Sequence, residues 1–214
     1  MLEEDILSNE LPISETFIGA QGEGPEAGKP TMFVRCFGCN MNPKCYWCDS
    51  SYSWQGMDKL NMSIRELGEE MRKNNTNHFT FTGGEFTLYD KFAIKLMSMF
   101  RKSHFSLETN GLQETTAPYN TIVISPKRQN YNEEVLKKYA EKKNTFFKFV
   151  YEPGKTFWWE NLDLPKEKIY IMSEGIDRQT QIDRMPEVIE YCVKNNYKFS
   201  PRIHVLAYDK KRKV

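Results

Sequence analysis

Four cysteines, Cys36, Cys39, Cys45 and Cys48, crowd one short stretch in the spacing C-x2-C-x5-C-x2-C. Thiolates two residues apart on a tight loop can face one metal, and a third a few residues away closes a face of it. Four such ligands would complete the closed tetrahedron of structural zinc. Three, Cys39, Cys45 and Cys48, would leave one position free for a substrate or cofactor. Spacing alone leaves the membership of Cys36 open, although its place directly after an apolar run favours packing. The distant Cys192, in register with Val188 and Ile189, reads as a buried helix thiol.

Other segments could do chemistry beside the thiols. Gly83-Gly84-Glu85 follows one apolar run and opens the next. Paired glycines admit a close ligand, and their amides can face its polar atoms. Gln21-Gly22-Glu23-Gly24 offers an amide and a carboxylate that could read a heterocycle with several N–H donors. Arg35 ends an apolar run, where a guanidinium needs a carboxylate or phosphate partner. His78 and His104 look like ordinary surface or edge positions, and His204 falls in a β-like run where a lone histidine is structural. Phe157-Trp158-Trp159 reads as packing, because no basic residues interleave with it.

The elements that must position these residues alternate. After a loop-like Gly- and Pro-containing stretch from Gln21 to Pro30, strands are expected at Thr31–Arg35, His78–Thr82, Phe105–Leu107, Thr121–Ile124, Thr145–Val150 and Lys168–Met172. Lys198–Leu206 also reads as extended. Helices are expected at Ser63–Asn74, with Ser63 and Glu66 as a capping box, at Phe86–Arg101, at Asn132–Lys143, and at Asp177–Asn195 with a kink or break at Pro186. About six such βα units predict an α/β fold with a mostly parallel sheet, as an open or partial barrel rather than a complete eightfold one. The unusual residues follow strand ends, and the carboxyl edge is where parallel α/β folds build their sites.

The chain has 214 residues, 39% of them hydrophobic, with 30 Lys+Arg against 29 Asp+Glu and a net charge of +1. That length and composition fit one globular domain over residues 1–214. Balanced charge speaks against affinity built on nucleic-acid phosphates. The basic run Lys210–Lys213 reads as a solvated end. No apolar stretch approaches the roughly 18 residues of a membrane span, and the acidic Met1–Glu10 is unlike a secretory signal. A cytoplasmic location is expected, where clustered thiols bind metal rather than pair as disulfides.

In this order the motifs resemble the radical S-adenosylmethionine (SAM) superfamily and, within it, the 7-carboxy-7-deazaguanine synthase family. The superfamily features are Cys39, Cys45 and Cys48, Trp47 before the last cysteine, and Thr82-Gly83-Gly84-Glu85. The narrower features are Ser14–Phe17 leading to Gln21–Gly24, Phe33-Val34-Arg35, Gly38-Cys39-Asn40 and Trp47-Cys48-Asp49. Glu108–Gly111, Ser125-Pro126-Lys127 and Phe199–His204 complete them. The chain departs from the pattern in places. Its cysteine spacing is C-x5-C-x2-C rather than C-x3-C-x2-C, Ser50 stands where the family has Thr, and Phe86 replaces a common proline. Cys36 occupies a position that is usually apolar.

The resemblance implies a radical SAM partial barrel in which Cys39, Cys45 and Cys48 hold a [4Fe-4S] cluster and SAM binds the fourth iron. Cleavage of SAM would supply the radical, the hard chemistry belonging to the cofactor. It implies that Gly83, Gly84 and Glu85 receive the SAM amino group, that Ser125 and Lys127 meet its ribose or carboxylate end, and that Trp47 lies near the adenine. Gln21, Gly22, Glu23, Glu108 and His204 would read a pterin, Arg35 would pair with its carboxylate, and the Ser50 hydroxyl would help hold Mg2+. The implied reaction converts 6-carboxy-5,6,7,8-tetrahydropterin to 7-carboxy-7-deazaguanine with loss of ammonia. A flavodoxin-type electron donor and a homodimer are implied as partners, with no nucleic acid and no membrane. Two rivals are a radical SAM activase of a glycyl-radical enzyme, which leaves Gln21–Gly24 unexplained, and a non-enzymatic four-cysteine zinc module.

Overall fold

Thr121–Ile124 is buried at all four positions, as expected of a strand covered on both faces of a parallel sheet. It becomes β6 of nine strands in a computed structural model that describes residues 10–56, 59–154 and 157–214. The strands are β1 (Glu10–Ala20), β2 (Pro30–Cys36), β3 (Leu60–Ser63), β4 (His78–Gly83), β5 (His104–Thr109), β6 (Thr121–Ile124), β7 (Thr145–Tyr151), β8 (Ile169–Ser173) and β9 (Lys198–Phe199). They form one sheet in the order β3-β1-β2-β4-β5-β6-β7-β8-β9. From β2 to β9 every neighbouring pair is parallel, whereas β1 is antiparallel to both β2 and β3. β3 and β9 are the edges, so the barrel stays open.

Helices α1 (Ile64–Lys73), α2 (Asp90–Ser98), α3 (Glu133–Glu141) and α4 (Arg178–Asn195) follow β3, β4, β6 and β8, and α5 (Ile203–Tyr208) follows β9. The Ser63–Glu66 capping box forms, satisfying two backbone donors at the start of α1. Ile64, Leu67 and Met71 then share its buried face. The core is aromatic-rich: Phe79, Phe81, Phe86, Phe147 and Phe149 are almost fully buried, and Phe81 stacks on Phe86 with ring centres 4.5 Å apart.

Several expectations need correction. β1 and β3 lie in segments not read as strands. The helix expected over Phe86–Arg101 is a 3-10 turn at Phe86–Tyr89 followed by the shorter α2. α4 continues through Pro186. The extended run expected to Leu206 stops after Phe199, and His204 lies in α5. The acidic start falls largely on residues 1–9, which lie outside the described residues. Among the described residues, no helix is long and apolar enough to cross a membrane.

Candidate active site

Because the strands run parallel, the segments after β2, β4, β5, β6 and β8 emerge at one edge of the sheet, where the cysteine loop crosses them. A cleft of about 530 Å³ opens there. It is lined by Cys39, Cys45 and Cys48, by Trp47 and Ser50 from the same loop, and by Gly83 and Gly84. Ser125 and Lys127 line it from beyond β6, and Gln21, Gly22, Glu23, Arg35, Glu108 and His204 complete the wall. Every site residue named from the sequence is therefore brought to this cleft except Glu85.

Each of the three sulfurs accepts an N–H. Met41 N donates to Cys39 Sγ at 3.5 Å, Gln129 Nε2 to Cys45 Sγ at 3.1 Å, and Trp54 Nε1 to Cys48 Sγ at 3.4 Å. Burial pushes the Cys39 and Cys45 thiols up; the Met41 amide and Lys44 oppose it at Cys39, and Lys127 and Gln129 at Cys45. Three sulfurs with N–H donors and cations beside them suit an anionic thiolate set with one open position. Cys36 is not among them. It is fully buried in the hydrophobic core, burial pushes its thiol well above the usual range, and the neighbouring Glu85 adds to that.

Gly83-Gly84-Glu85 does different work from that expected. The Gly84 and Glu85 amides donate to the carbonyls of Cys36 and Gly38, at 3.2 and 2.8 Å, so they do not face a ligand. A Cβ on Gly84 would stand 1.7 Å from the Gly38 carbonyl oxygen. Gly83 has φ +131° and presses on the Cys36 backbone. Glu85 is 1% exposed. Its Oε1 accepts from the Thr87 amide and hydroxyl and from the Thr109 hydroxyl, and its Oε2 accepts from the Asn110 amide. Burial raises its pKa in spite of these donors. It lies outside the lining of the cleft and ties the end of β4 to the end of β5.

Across the cleft, Glu23 is held between two cations. Lys148 Nζ lies 2.7 Å from its Oε2 and Arg202 Nε 2.8 Å from its Oε1. Burial would raise Glu23, but Lys148 and Arg202 outweigh it and hold it well below the usual carboxylate range. Lys148 also pairs with Glu108 at 2.9 Å, and Gln21 Nε2 donates to the other Glu108 oxygen at 3.3 Å. Glu108 is nevertheless raised, by burial and by the charge of Glu23. The two carboxylates thus share Lys148 while burial and charge shift them in opposite directions. Gly22 allows this packing, because a Cβ there would lie 2.0 Å from His204 Nδ1. Burial lowers His204, which favours the neutral ring.

The opposite side is also ionic. Arg35 Nε pairs with Glu15 at 2.9 Å, and its NH1 reaches Ser50 Oγ at 3.4 Å. Ser50 Oγ donates to Asp49 Oδ1 at 3.0 Å, and Asp49 pairs with Arg202 at 2.5 Å. The basic run expected to be a solvated end lines the cleft as well. Arg212 pairs with Glu15 at 2.8 Å and lies over the Tyr52 ring at 3.5 Å.

Lys148, Arg202, Asp49 and Glu15 were missed from the sequence. Asp49 stood beside the last cysteine, and Arg202 within the segment quoted as Phe199–His204, as the available signals. Lys148, one charge in the apolar strand Phe146-Phe147-Lys148-Phe149, had only its oddity to betray it.

Known proteins resemble the chain over nearly its whole length. A 7-carboxy-7-deazaguanine synthase of Hyperthermus butylicus is 28% identical over 94% of this chain and 94% of its own. That of Halobacterium salinarum is 27% identical over 93% and 91%, and that of Escherichia coli is 26% identical over 91% and 97%. The crystal structure of QueE from Escherichia coli superposes with a TM-score of 0.71 at 22% identity, over 91% of this chain and 95% of that one, which establishes the shared fold. The family model of the Radical SAM superfamily matches residues 34–151, more than half of the chain, from the end of β2 to the end of β7. With the three-thiol loop inside that match, the chain belongs to the radical SAM superfamily.

Proposed function

We propose that this enzyme converts 6-carboxy-5,6,7,8-tetrahydropterin to 7-carboxy-7-deazaguanine with loss of ammonia, the product named in its relatives. The observation that carries the reading is one cleft holding both the three cysteines and the array Gln21–Glu108–Lys148–Glu23–Arg202. An activase of a protein radical needs the thiols but has no use for such an array.

Cys39, Cys45 and Cys48 would hold the [4Fe-4S] cluster, and the wall formed by Trp47, Gly83, Gly84, Ser125 and Lys127 would take SAM. Bound together, cluster and SAM supply the radical that abstracts hydrogen from the substrate. The chain's own residues bind and orient. Glu23, kept ionised by Lys148 and Arg202, accepts from the amino and ring N–H groups of the pterin edge. Glu108, held by Lys148 and Gln21, adds a second carboxylate to that wall, with His204 flanking. Arg35, paired with Glu15, would also meet the substrate carboxylate. Ser50 and Asp49 offer adjacent hard oxygens suited to Mg2+. A homodimer, a flavodoxin-type electron donor and a cytoplasmic setting complete the proposal.

The test is anaerobic incubation of reduced, cluster-loaded protein with SAM, Mg2+ and the carboxypterin, followed by mass spectrometry. A deazaguanine product is expected. SAM cleavage without it would defeat the substrate assignment, and failure of the wild type to develop iron–sulfur absorption would favour a zinc module. Cys36→Ala is expected to keep its iron.

A further inference from the structure

A second cluster of chemically able side chains sits at the other end of the strands. His78 and His104 are the first residues of β4 and β5, are paired in register, and stand with ring centres 4.3 Å apart. Glu26, from the 3-10 turn between β1 and β2, reaches both. Its Oε2 lies 3.1 Å from His78 Nε2 and its Oε1 lies 2.9 Å from His104 Nε2. Nothing in their spacing joins three residues so far apart in the chain, and the cysteine chemistry makes no use of them.

We propose that Glu26, His78 and His104 bind one divalent transition ion of the zinc, iron(II) or cobalt(II) class. One ligand atom from each residue lies within 4.8 Å of the other two. Two imidazoles with one carboxylate is a donor set that zinc and ferrous iron accept, and one that Mg2+ or Ca2+, which prefer oxygen, would not. A neutral imidazole binds through Nε2 while its proton sits on Nδ1, so no proton need leave a neutral ring.

The surroundings fit a coordinated carboxylate. Ser106 Oγ donates to Glu26 Oε2 and lies 3.0 Å from His78 Nε2. Thr121 Oγ1 donates to Oε1 at 3.2 Å and lies 3.1 Å from His104 Nε2. These hydroxyls can hydrogen-bond the ligands or add an oxygen to the ion. Lys29 also touches Oε1, at 3.1 Å, but its side chain is 53% exposed and can withdraw to solvent. Glu26 is buried, while the His104 side chain is 35% exposed and leaves an entry path.

The ion would act as a clamp. Glu26 lies three residues after Glu23, and the intervening Gly24 amide donates to buried Ser200 at 2.8 Å. Fixing Glu26 to the starts of β4 and β5 therefore anchors the loop that carries Gln21 and Glu23 into the cleft.

Zinc binding tests the clamp on protein whose iron–sulfur cluster is already assembled. After removal of loose metal, Zn2+ is titrated anaerobically against a chromophoric chelator, and zinc and iron are counted by mass spectrometry. One zinc per chain beyond the iron is expected, with a higher melting temperature. His78→Gln with His104→Gln should weaken binding by at least about a hundredfold, the upper end of what losing an outer-shell partner does, at unchanged iron content. A second arm adds Co2+ to the C39A/C45A/C48A variant, where d–d bands without thiolate charge transfer are expected and should vanish on adding Glu26→Gln. Zinc uptake by the wild type no greater than by the double variant overturns the proposal. So does a cobalt spectrum indifferent to Glu26→Gln, which also decides the matter should the double variant not fold.

Discussion

Lys148 Nζ lies within 3 Å of a carboxylate oxygen of both Glu23 and Glu108, so its removal leaves Glu23 to Arg202 alone and takes from Glu108 its paired cation. Breaking one side of a buried ionic group costs about 3–5 kcal/mol. Lys148→Met is therefore expected to lower the melting temperature and to raise KM for the carboxypterin, with Lys148→Arg recovering part of both. Gly22→Ala is a gentler probe. Its Cβ would collide with His204 Nδ1, so a KM increase of about tenfold is expected with melting nearly unchanged, read by steady-state kinetics and calorimetry. At this scale, residues embedded in short motifs were legible because type and spacing restrict their chemistry. Lys148 and Arg202 were not, because a charge in a strand or before a short helix declares its partner only when the chain folds. Glu85 is the converse case. Its motif is visible, but which of several neighbours it satisfies is a matter of packing.

Local chemistry decides how far each element could be read. α1 announces itself through Ser63, Glu66 and an apolar face, and Ser63→Ala should remove about 1 kcal/mol, roughly 2–4 °C in melting for a chain of this length. β1 hid because its partly polar sequence places Glu15 at a 6% exposed position, where Arg35, Tyr52 and Arg212 satisfy it instead of an apolar neighbour. α5 was read as extended because Ile203 and Val205 favour strands. Tertiary contacts override that preference: Ile203 N donates to the Gly22 carbonyl at 2.9 Å, and Arg202 is fixed by Glu23 and Asp49. β4 joins the cysteine loop at the Gly84–Gly38 approach. Gly84→Ala is expected to reduce iron per chain after reconstitution at least about twofold, the 1.7 Å approach leaving backbone no room to yield.

For the whole molecule, balanced charge conceals an interior rich in ion pairs, and that sets its response to acid. Burial would raise Glu15 and Glu23, but Arg35 at the first and Lys148 at the second outweigh it, so both lie below the ordinary 4.5. A depressed carboxylate stabilises the fold above the unfolded value, and that contribution is lost as pH falls from there through the folded value. Glu85 and Glu108, raised by burial, act in the opposite sense and favour the fold at low pH. Because Glu23 is held by two cations, metal-free protein is expected to lose melting temperature from about pH 5 to pH 3. Lys148→Met should flatten that decline, as circular dichroism melts would record. The close approach of Gly84 to Gly38 reaches beyond this enzyme's chemistry. A descendant of this chain that lost its three cysteines would still feel the same crowding between β4 and its neighbouring loop, and would be held to glycine there. Persistence of Gly-Gly-Glu in a drifting lineage would then certify a sound joint in the scaffold, while saying nothing about whether radical catalysis survives.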